Sequence, residues 1–542
     1  MARRRRIEMN FSAQHQRTIS SKLPFPETAR LTDAVTGESF SLAQIRQQQH
    51  AWQQQLQSFQ PLKSVNARRI VFRAQSSVQW ALLDLACLEA DVLLVPVPAY
   101  LSETQWHHVL QQVAPDLIVS DVPFGVAAPF LAANEMRWVT EFSGFQLYQC
   151  LTTTRVATPI GTQKITFTSG STGQPKGVCL SASAQVKVAQ SLVSRINIEA
   201  PRHLCLLPLP TLLENIAGIY APLLAGGEVL IAPEAARGFN GSRLETPALL
   251  LGLISKVQPQ TLILVPELLQ LLVHACRQGW TVPASLKFIA VGGAKVAVDL
   301  LKQAALCGLP VYQGYGLSEC CSVVALSGES ALHASPLQLQ QVGKVLPHLE
   351  VKIVDDEIWV KTPFLGYLGD TAADHTEWVV TGDLGALSPD GHLVIWGRKK
   401  NLLILSSGRN VNPEWVEAEL TKTGVVQQAV LFGDAKPYCV ALLFCGNPTI
   451  TDVQLAAFVS GINQQLPDYA RAEHFIRLAA PLSEPQNTLT ANGRPKRDVI
   501  AALYAAELAA LYASKEYASA AQPFEPSFTP PFAQTQTEEY PV

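Results

Sequence analysis

The stretch TFTSGSTGQPKGV, Thr166 to Val178, sets five hydroxyl-bearing residues and three glycines around a single lysine. A loop of this kind brings backbone N–H groups and small hydroxyls against anionic oxygens with no bulky side chain in the way, so it implies a phosphate ligand. Two familiar phosphate loops are excluded by spacing. The P-loop pattern G-x-x-x-x-G-K-[ST] fails because Pro175 fills its second glycine position and Gly177 its hydroxyl position. The dinucleotide pattern G-x-G-x-x-G fails because Thr172 stands where its second glycine belongs. A flexible linker of the same composition would have no use for a proline and a lysine at these places.

Outward from the loop, short β-branched runs alternate with helical stretches. RIVFRA (69–74), VLLVPV (92–97) and DLIVSD (116–121) are separated by VQWALLDLACLEA and SETQWHHVLQQVA. LCLLPL (204–209), EVLIAP (228–233), QTLILVP (260–266) and LKFIAVGG (286–293) continue the rhythm. Such alternation predicts an α/β fold with largely parallel sheets covered by helices on both faces. From residue 342 to the turn at Pro389-Asp390-Gly391 the pattern becomes strands and turns, which predicts a distorted antiparallel β region. After Gly397 a small α+β domain follows. The expected organisation is a basic tail at 1–22, a large domain at 23–397, a small mobile domain at 398–512 with its hinge at 398–400, and a disordered proline-rich tail at 513–542.

The chain has 542 residues, 48% hydrophobic, which suffices for more than one domain-sized core. A formal net charge of -3 provides no field for nucleic acid or an anionic membrane. The Arg3–Arg6 run is followed by polar residues rather than an apolar stretch, so no signal peptide is read. Ten scattered cysteines without a CxxC indicate neither a zinc site nor a disulfide framework, and a reducing cytoplasm is expected. The apolar segments 81–100 and 248–273 are interrupted by charges and prolines, so both read as buried elements, leaving at most peripheral membrane association.

The 166–178 loop resembles the signature loop of the acyl-adenylate-forming superfamily of acyl-CoA synthetases, luciferases and nonribosomal adenylation domains. GYGLSE (314–319), GGA (292–294), TGD (381–383) and GRKKNLLILSSGRNVNPEWVEAEL (397–420) match further motifs of that superfamily in its order. LPLPTLLENIAGIYAPLLAGG (207–227) looks most like the long-chain fatty acyl-CoA synthetase branch. The resemblance implies ATP, Mg2+ and coenzyme A, or the phosphopantetheine of an acyl carrier protein, acting on a fatty acid.

Residue by residue, the resemblance implies that Thr168 and Glu319 hold Mg2+, that Ser169, Gly170, Ser171, Thr172 and Gly173 wrap the β- and γ-phosphates, and that Lys176 anchors the loop. Tyr315 would stack on adenine within GYG (Gly314, Tyr315, Gly316), opposite Gly292, Gly293 and Ala294, with Ser318 at the α-phosphate. Asp383 would accept the ribose hydroxyls and Arg398 add a cationic contact. Lys400 occupies the hinge, and Ser407 and Gly408 the loop near the incoming pantetheine. Two departures stand out. Arg494, in LTANGRPKR (489–497), replaces the family's catalytic lysine, with Lys496 two residues on as an alternative. Thr211 replaces a histidine on the acyl side. Glu214 is the nearest candidate for a substrate-ammonium anchor, but the fatty-acid branch carries glutamate there too. Three functions follow: a fatty acid–CoA ligase, a ligase feeding an acyl carrier protein, and a non-catalytic module binding nucleotide or acyl-adenylate. Phe524, Phe528 and Phe532 could form a docking peptide, although a plain disordered end fits the tail's composition.

Overall fold

The computed structural model describes residues 23–59, 68–90, 92–99, 101, 103–122, 136–150, 156–168, 176–241, 243–370, 377–406, 409–490 and 493–513. Both tails, the Ser169–Gly173 loop, and Ser407 with Gly408 therefore lie outside the described residues. It is a mixed α/β fold with a large N-terminal and a smaller C-terminal domain.

The first βαβαβ unit forms as its pattern requires. Strands Arg68–Arg73, Val92–Val97 and Leu117–Ser120 pair in parallel, and fully buried apolar side chains on both faces explain their unbroken hydrophobic runs. This seven-stranded sheet is less parallel than expected. Antiparallel pairs close both edges, through strands Met136–Phe142 and Phe145–Cys150 on one side and Lys164–Thr168 and Lys176–Leu180 on the other. Residues 169–175 thus connect the two strands of an edge hairpin.

A second sheet joins what the sequence separates. Parallel strands Thr261–Leu264, Phe288–Val291 and Val311–Leu317 run into antiparallel strands Ser322–Leu326, Gly343–Val345, His392–Arg398 and Trp378–Leu387, all within one thirteen-stranded sheet. The strand expected at 204–209 is Arg202–Leu204 instead. Apolarity misplaced it, because Pro208 has no N–H to give a ladder, whereas polar Arg202 and His203 start the strand. The smaller domain packs helices Pro413–Thr421 and Asp452–Asn463 on a three-stranded sheet, with its own core around Val416, Leu420, Leu431, Leu443, Leu455 and Val459.

A buried polar knot ties the sheet carrying the phosphate hairpin to the helix that follows Thr211. Lys164 Nζ donates to Asp84 Oδ1 (2.7 Å), Asn215 Oδ1 (2.6 Å) and Tyr220 Oη (2.8 Å). Asn215 Nδ2 and the Tyr220 hydroxyl donate to Asp84 Oδ2 at 2.9 and 2.5 Å. Lys164 and Asp84 are wholly buried, which is tolerable only because the pair is also hydrogen-bonded. Among the described residues no helix is long and apolar enough to cross a membrane.

Candidate functional site

A cleft of about 2900 Å³ opens where the carboxyl ends of the strands meet the small domain. Its floor is made by close backbone approach. Gly292 lies so near Gly314 that a Cβ would be 3.2 Å from its carbonyl oxygen, and a Cβ on Gly316 would be 1.6 Å from Ser322 O. Gly293 turns at φ 83°, a conformation suited to glycine. A flat, side-chain-free shelf results beside Tyr315.

Asp383 is the electrostatic centre of this floor. The residue is 3% exposed, and its carboxylate accepts from the Tyr315 hydroxyl at 2.5 Å, while Arg398 Nε lies 2.7 Å from its other oxygen. Asp383 and Arg398 are cross-strand partners, so sheet register fixes the pair. Burial pushes the Asp383 carboxyl above its ordinary range, opposed by Arg398, Tyr315 and Arg494. Arg398 also donates to Thr381 O at 3.1 Å, which leaves its planar fork pinned rather than swinging.

On the hairpin side, Lys176 opens the strand Lys176–Leu180 with its Nζ 5.4 Å from the centre of the Tyr367 ring. The Tyr367 hydroxyl donates to Glu319 Oε1 at 2.8 Å. Thr168 ends the facing strand, paired with Lys176. Ser318 and Glu319 lie on a single 3-10 turn, after which Cys321 and Ser322 take positive φ (63° and 109°) to enter the next strand.

The small domain closes the cleft from above. Arg494, a solvent-exposed side chain, donates through Nη2 to Gly293 O across the interface between the domains, with Asp383, Glu414 and Glu267 in its electrostatic surroundings. Desolvation at that interface and the neighbouring Arg398 lower its pKa from the ordinary arginine value. Gly493 sits against Glu267, whose Oε1 would be 3.4 Å from a Cβ there. Lys496 goes elsewhere: its Nζ donates to Asn487 Oδ1 at 2.5 Å within the small domain, and the residue caps the helix Arg497–Leu503. The fold therefore brings Arg494, not Lys496, to Gly293. Lys422 adds a bridge across the interface to Asp299 at 3.7 Å, and Lys400 lies on an exposed 3-10 turn between the domains.

Family models match the sequence of both domains. Residues 60–365 match the AMP-binding enzyme model and residues 400–516 the AMP-binding enzyme C-terminal domain. The chain belongs to the AMP-binding enzyme family. A long-chain-fatty-acid–CoA ligase of Mycobacterium tuberculosis is 27% identical over 532 residues, covering 82% of this chain and 88% of its own. A 2-succinylbenzoate–CoA ligase of Bacillus velezensis is 31% identical over 294 residues, covering 51% and 56%. In fold, the O-succinylbenzoate coenzyme A synthetase of Bacillus subtilis in complex with AMP has a TM-score of 0.68 at 22% identity, covering 90% of this chain and 97% of that one. The anthranilate CoA ligase AuaEII in complex with anthranoyl-AMP has a TM-score of 0.70 at 16% identity, covering 90% and 96%.

In this AMP-binding enzyme the cleft continues past the glycine shelf along the π-helix Leu213–Tyr220 and its α-helical extension Ala221–Leu224. Ala217 and Ala221 of that helix, Phe288 and Ala290 of the sheet, and Val193 and Ile196 of the helix Ala182–Ile196 line it. Thr211 lines the same cleft. Glu214 does not serve as a substrate anchor: it is wholly buried, with Oε1 2.9 Å from His203 Nε2 and Oε2 accepting from Leu207 N at 2.9 Å. His203 in turn meets Thr261 Oγ1 at 2.9 Å. Gly218 makes room for the carboxylate, since a Cβ there would be 2.2 Å from its Oε1. Reasoning from sequence missed Tyr367 and Glu267. Tyr367 carries a local signal, glycines on either side in FLGYLGD (364–370), whereas Glu267 has none beyond following Pro266 at a helix start.

Proposed function

We propose that this AMP-forming acid–CoA ligase activates an elongated fatty acid, passing through an acyl-adenylate before transfer to a thiol. The observation that supports it is the engagement of Glu214. An amino-acid substrate would call for a carboxylate facing its ammonium, but Glu214 is wholly buried against His203 and Leu207 N and is not among the residues lining the cleft, as Asp383 is. The cleft runs beside both the π-helix Leu213–Tyr220 and the α-helical turn Ala221–Leu224 that continues it, a run suited to a chain rather than to one ring.

Adenylation sets a carboxylate against the α-phosphorus of ATP and expels pyrophosphate, so the protein must offset concentrated negative charge with fixed donors. Asp383 receives the ribose hydroxyls through a carboxylate already oriented by Arg398. Tyr315, its hydroxyl committed to Asp383, offers its ring to adenine. Lys176 and Ser318 meet phosphate oxygens, together with Ser169, Gly170, Ser171, Thr172 and Gly173. Glu319 and Thr168 are hard oxygen donors of the kind that hold Mg2+ with substrate phosphates, and the cation when bound neutralises phosphate charge. Arg494 supplies a cation between the two reacting anions. In the second half-reaction the small domain turns about Lys400, bringing Ser407 and Gly408 toward the incoming thiol of coenzyme A or of an acyl carrier protein.

Pyrophosphate release measured with ATP and Mg2+ across fatty acids of increasing length, and with 2-succinylbenzoate, tests the reading. Release should rise with chain length and, when coenzyme A is added, be followed by acyl-CoA. Release with 2-succinylbenzoate and none with any fatty acid would overturn it. Adenylate that accumulates with coenzyme A but clears with an acyl carrier protein would move the acceptor to that protein.

A further inference from the structure

Tyr367 stands between the two charged groups assigned to the triphosphate, and the chain goes to some length to hold it there. Residues 366–370 lie beside the phosphate hairpin like an added strand. Cys179 N donates to Gly366 O at 3.0 Å and Leu368 N to Gly177 O at 2.8 Å, with a bridge between Val178 and Tyr367. Gly177 admits the segment, for a Cβ on it would lie 2.9 Å from Ile165 Cγ2 and 3.2 Å from Leu368 Cβ. Gly366 and Gly369 take φ 110° and 98° on either side, so the chain turns sharply into and out of this position. Tyr367 N donates to Asp370 Oδ2 at 2.7 Å, and Phe364 packs edge-on with ring centroids 5.2 Å apart. The ring is fixed from its backbone outward.

From that fixed point it touches both partners. Its hydroxyl donates to Glu319 Oε1 at 2.8 Å, and Lys176 Nζ lies 5.4 Å from its ring centroid. A donor on one carboxylate oxygen selects one rotamer and leaves the second oxygen for another ligand. A lysine ammonium near an aromatic face is attracted by the ring's quadrupole without its donors being used up. Each contact therefore orients a charge and keeps its capacity for phosphate or cation.

We propose that Tyr367 is a positioning residue of the ATP site, aiming the Glu319 carboxylate at the divalent cation through its hydroxyl and seating Lys176 through its ring. This rests on the assignment of Glu319 to the cation made above. Partners that orient a metal ligand typically contribute 10–100-fold to metal affinity, so removal of the hydroxyl should cost about tenfold.

Calorimetric binding of ATP to the full chain, once with Mg2+ and once in EDTA, separates the two contacts without reference to any acyl substrate. In Tyr367→Phe the gain in ATP affinity conferred by Mg2+ should fall about tenfold, while affinity in EDTA stays at the wild-type value. In Tyr367→Leu affinity in EDTA should fall as well, by several-fold. Taking the gain as a ratio within each variant removes any loss of folded protein, which lowers both measurements alike. A wild-type gain in Tyr367→Phe, alongside a lost gain in Glu319→Gln, would overturn the proposal and leave Glu319 as cation ligand. A wild-type gain in Glu319→Gln would overturn the cation assignment and the proposal with it.

Discussion

Replacing Arg494 by alanine should separate the two half-reactions. Its guanidinium donates to Gly293 O and faces Asp383, Glu414 and Glu267, with Arg398 alongside. Without it, Asp383, Glu414 and Glu267 lose a shared cation at the proposed meeting place of triphosphate and substrate carboxylate. Loss of one preorganised transition-state donor costs about 2.7–4 kcal/mol, or roughly 100- to 1000-fold in rate. Pyrophosphate release with a fatty acid should therefore fall by that factor in Arg494→Ala. Thiol transfer from supplied acyl-adenylate should stay within about twofold, since that step uses the other orientation of the small domain. Arg494→Lys keeps the charge but loses the planar fork, and should fall about tenfold. Lys496→Ala should change release by no more than about threefold, because its Nζ is held by Asn487 inside the small domain, and exposed contacts of this kind are worth roughly 0–1 kcal/mol. Near-normal release in Arg494→Ala, with loss in Lys496→Ala, would refute the reasoning and transfer the catalytic charge to Lys496.

Lys164→Met strands the buried Asp84 carboxylate and should lower unfolding free energy by about 3–5 kcal/mol in urea titration, with most of it recovered in Lys164→Met/Asp84→Leu. Gly316→Ala drives a Cβ into Ser322 O and should cost about 1–3 kcal/mol along with ATP affinity, whereas Gly252→Ala, in a helix with open space around it, should stabilise by roughly 0.5–1 kcal/mol. His348 is depressed to about 4, first by burial and then by Lys187, while its Nδ1 meets Ser191 Oγ at 2.7 Å. The unfolded chain therefore binds the extra proton between about pH 6.5 and 4, so stability falls as pH drops through that window and levels off below it. Discounted for its partial exposure to solvent, the loss should be about 1–2 kcal/mol, and His348→Gln should flatten the midpoint-versus-pH curve by that amount.

The sequence by itself determined what depends on residues near one another in the chain. The alternation of strand and helix from Arg68 to Val291, the change to antiparallel strands, and the compact unit after Gly397 follow from periodicity and turn residues. The order of motifs around Lys176, Tyr315, Asp383 and Arg398 sufficed to indicate adenylate chemistry. Where the side chains near a departure from the motif are placed was decided only in three dimensions. Arg494 and Lys496 differ by two positions, yet the turn at Gly493, the bridge from Leu489 to Pro495 and the helix beginning at Arg497 send one to Gly293, 201 residues away, and the other to Asn487. Glu214 reads as a free carboxylate until His203 and Leu207 N are packed against it. The glycines flanking Tyr367 mark a turn in the sequence, but its bridge to Val178 is a long-range pairing that only the fold supplies. Local preference fixes where elements begin and what they can bind; long-range packing fixes which charges meet, because burial forces each polar group to find a partner from a distant part of the chain.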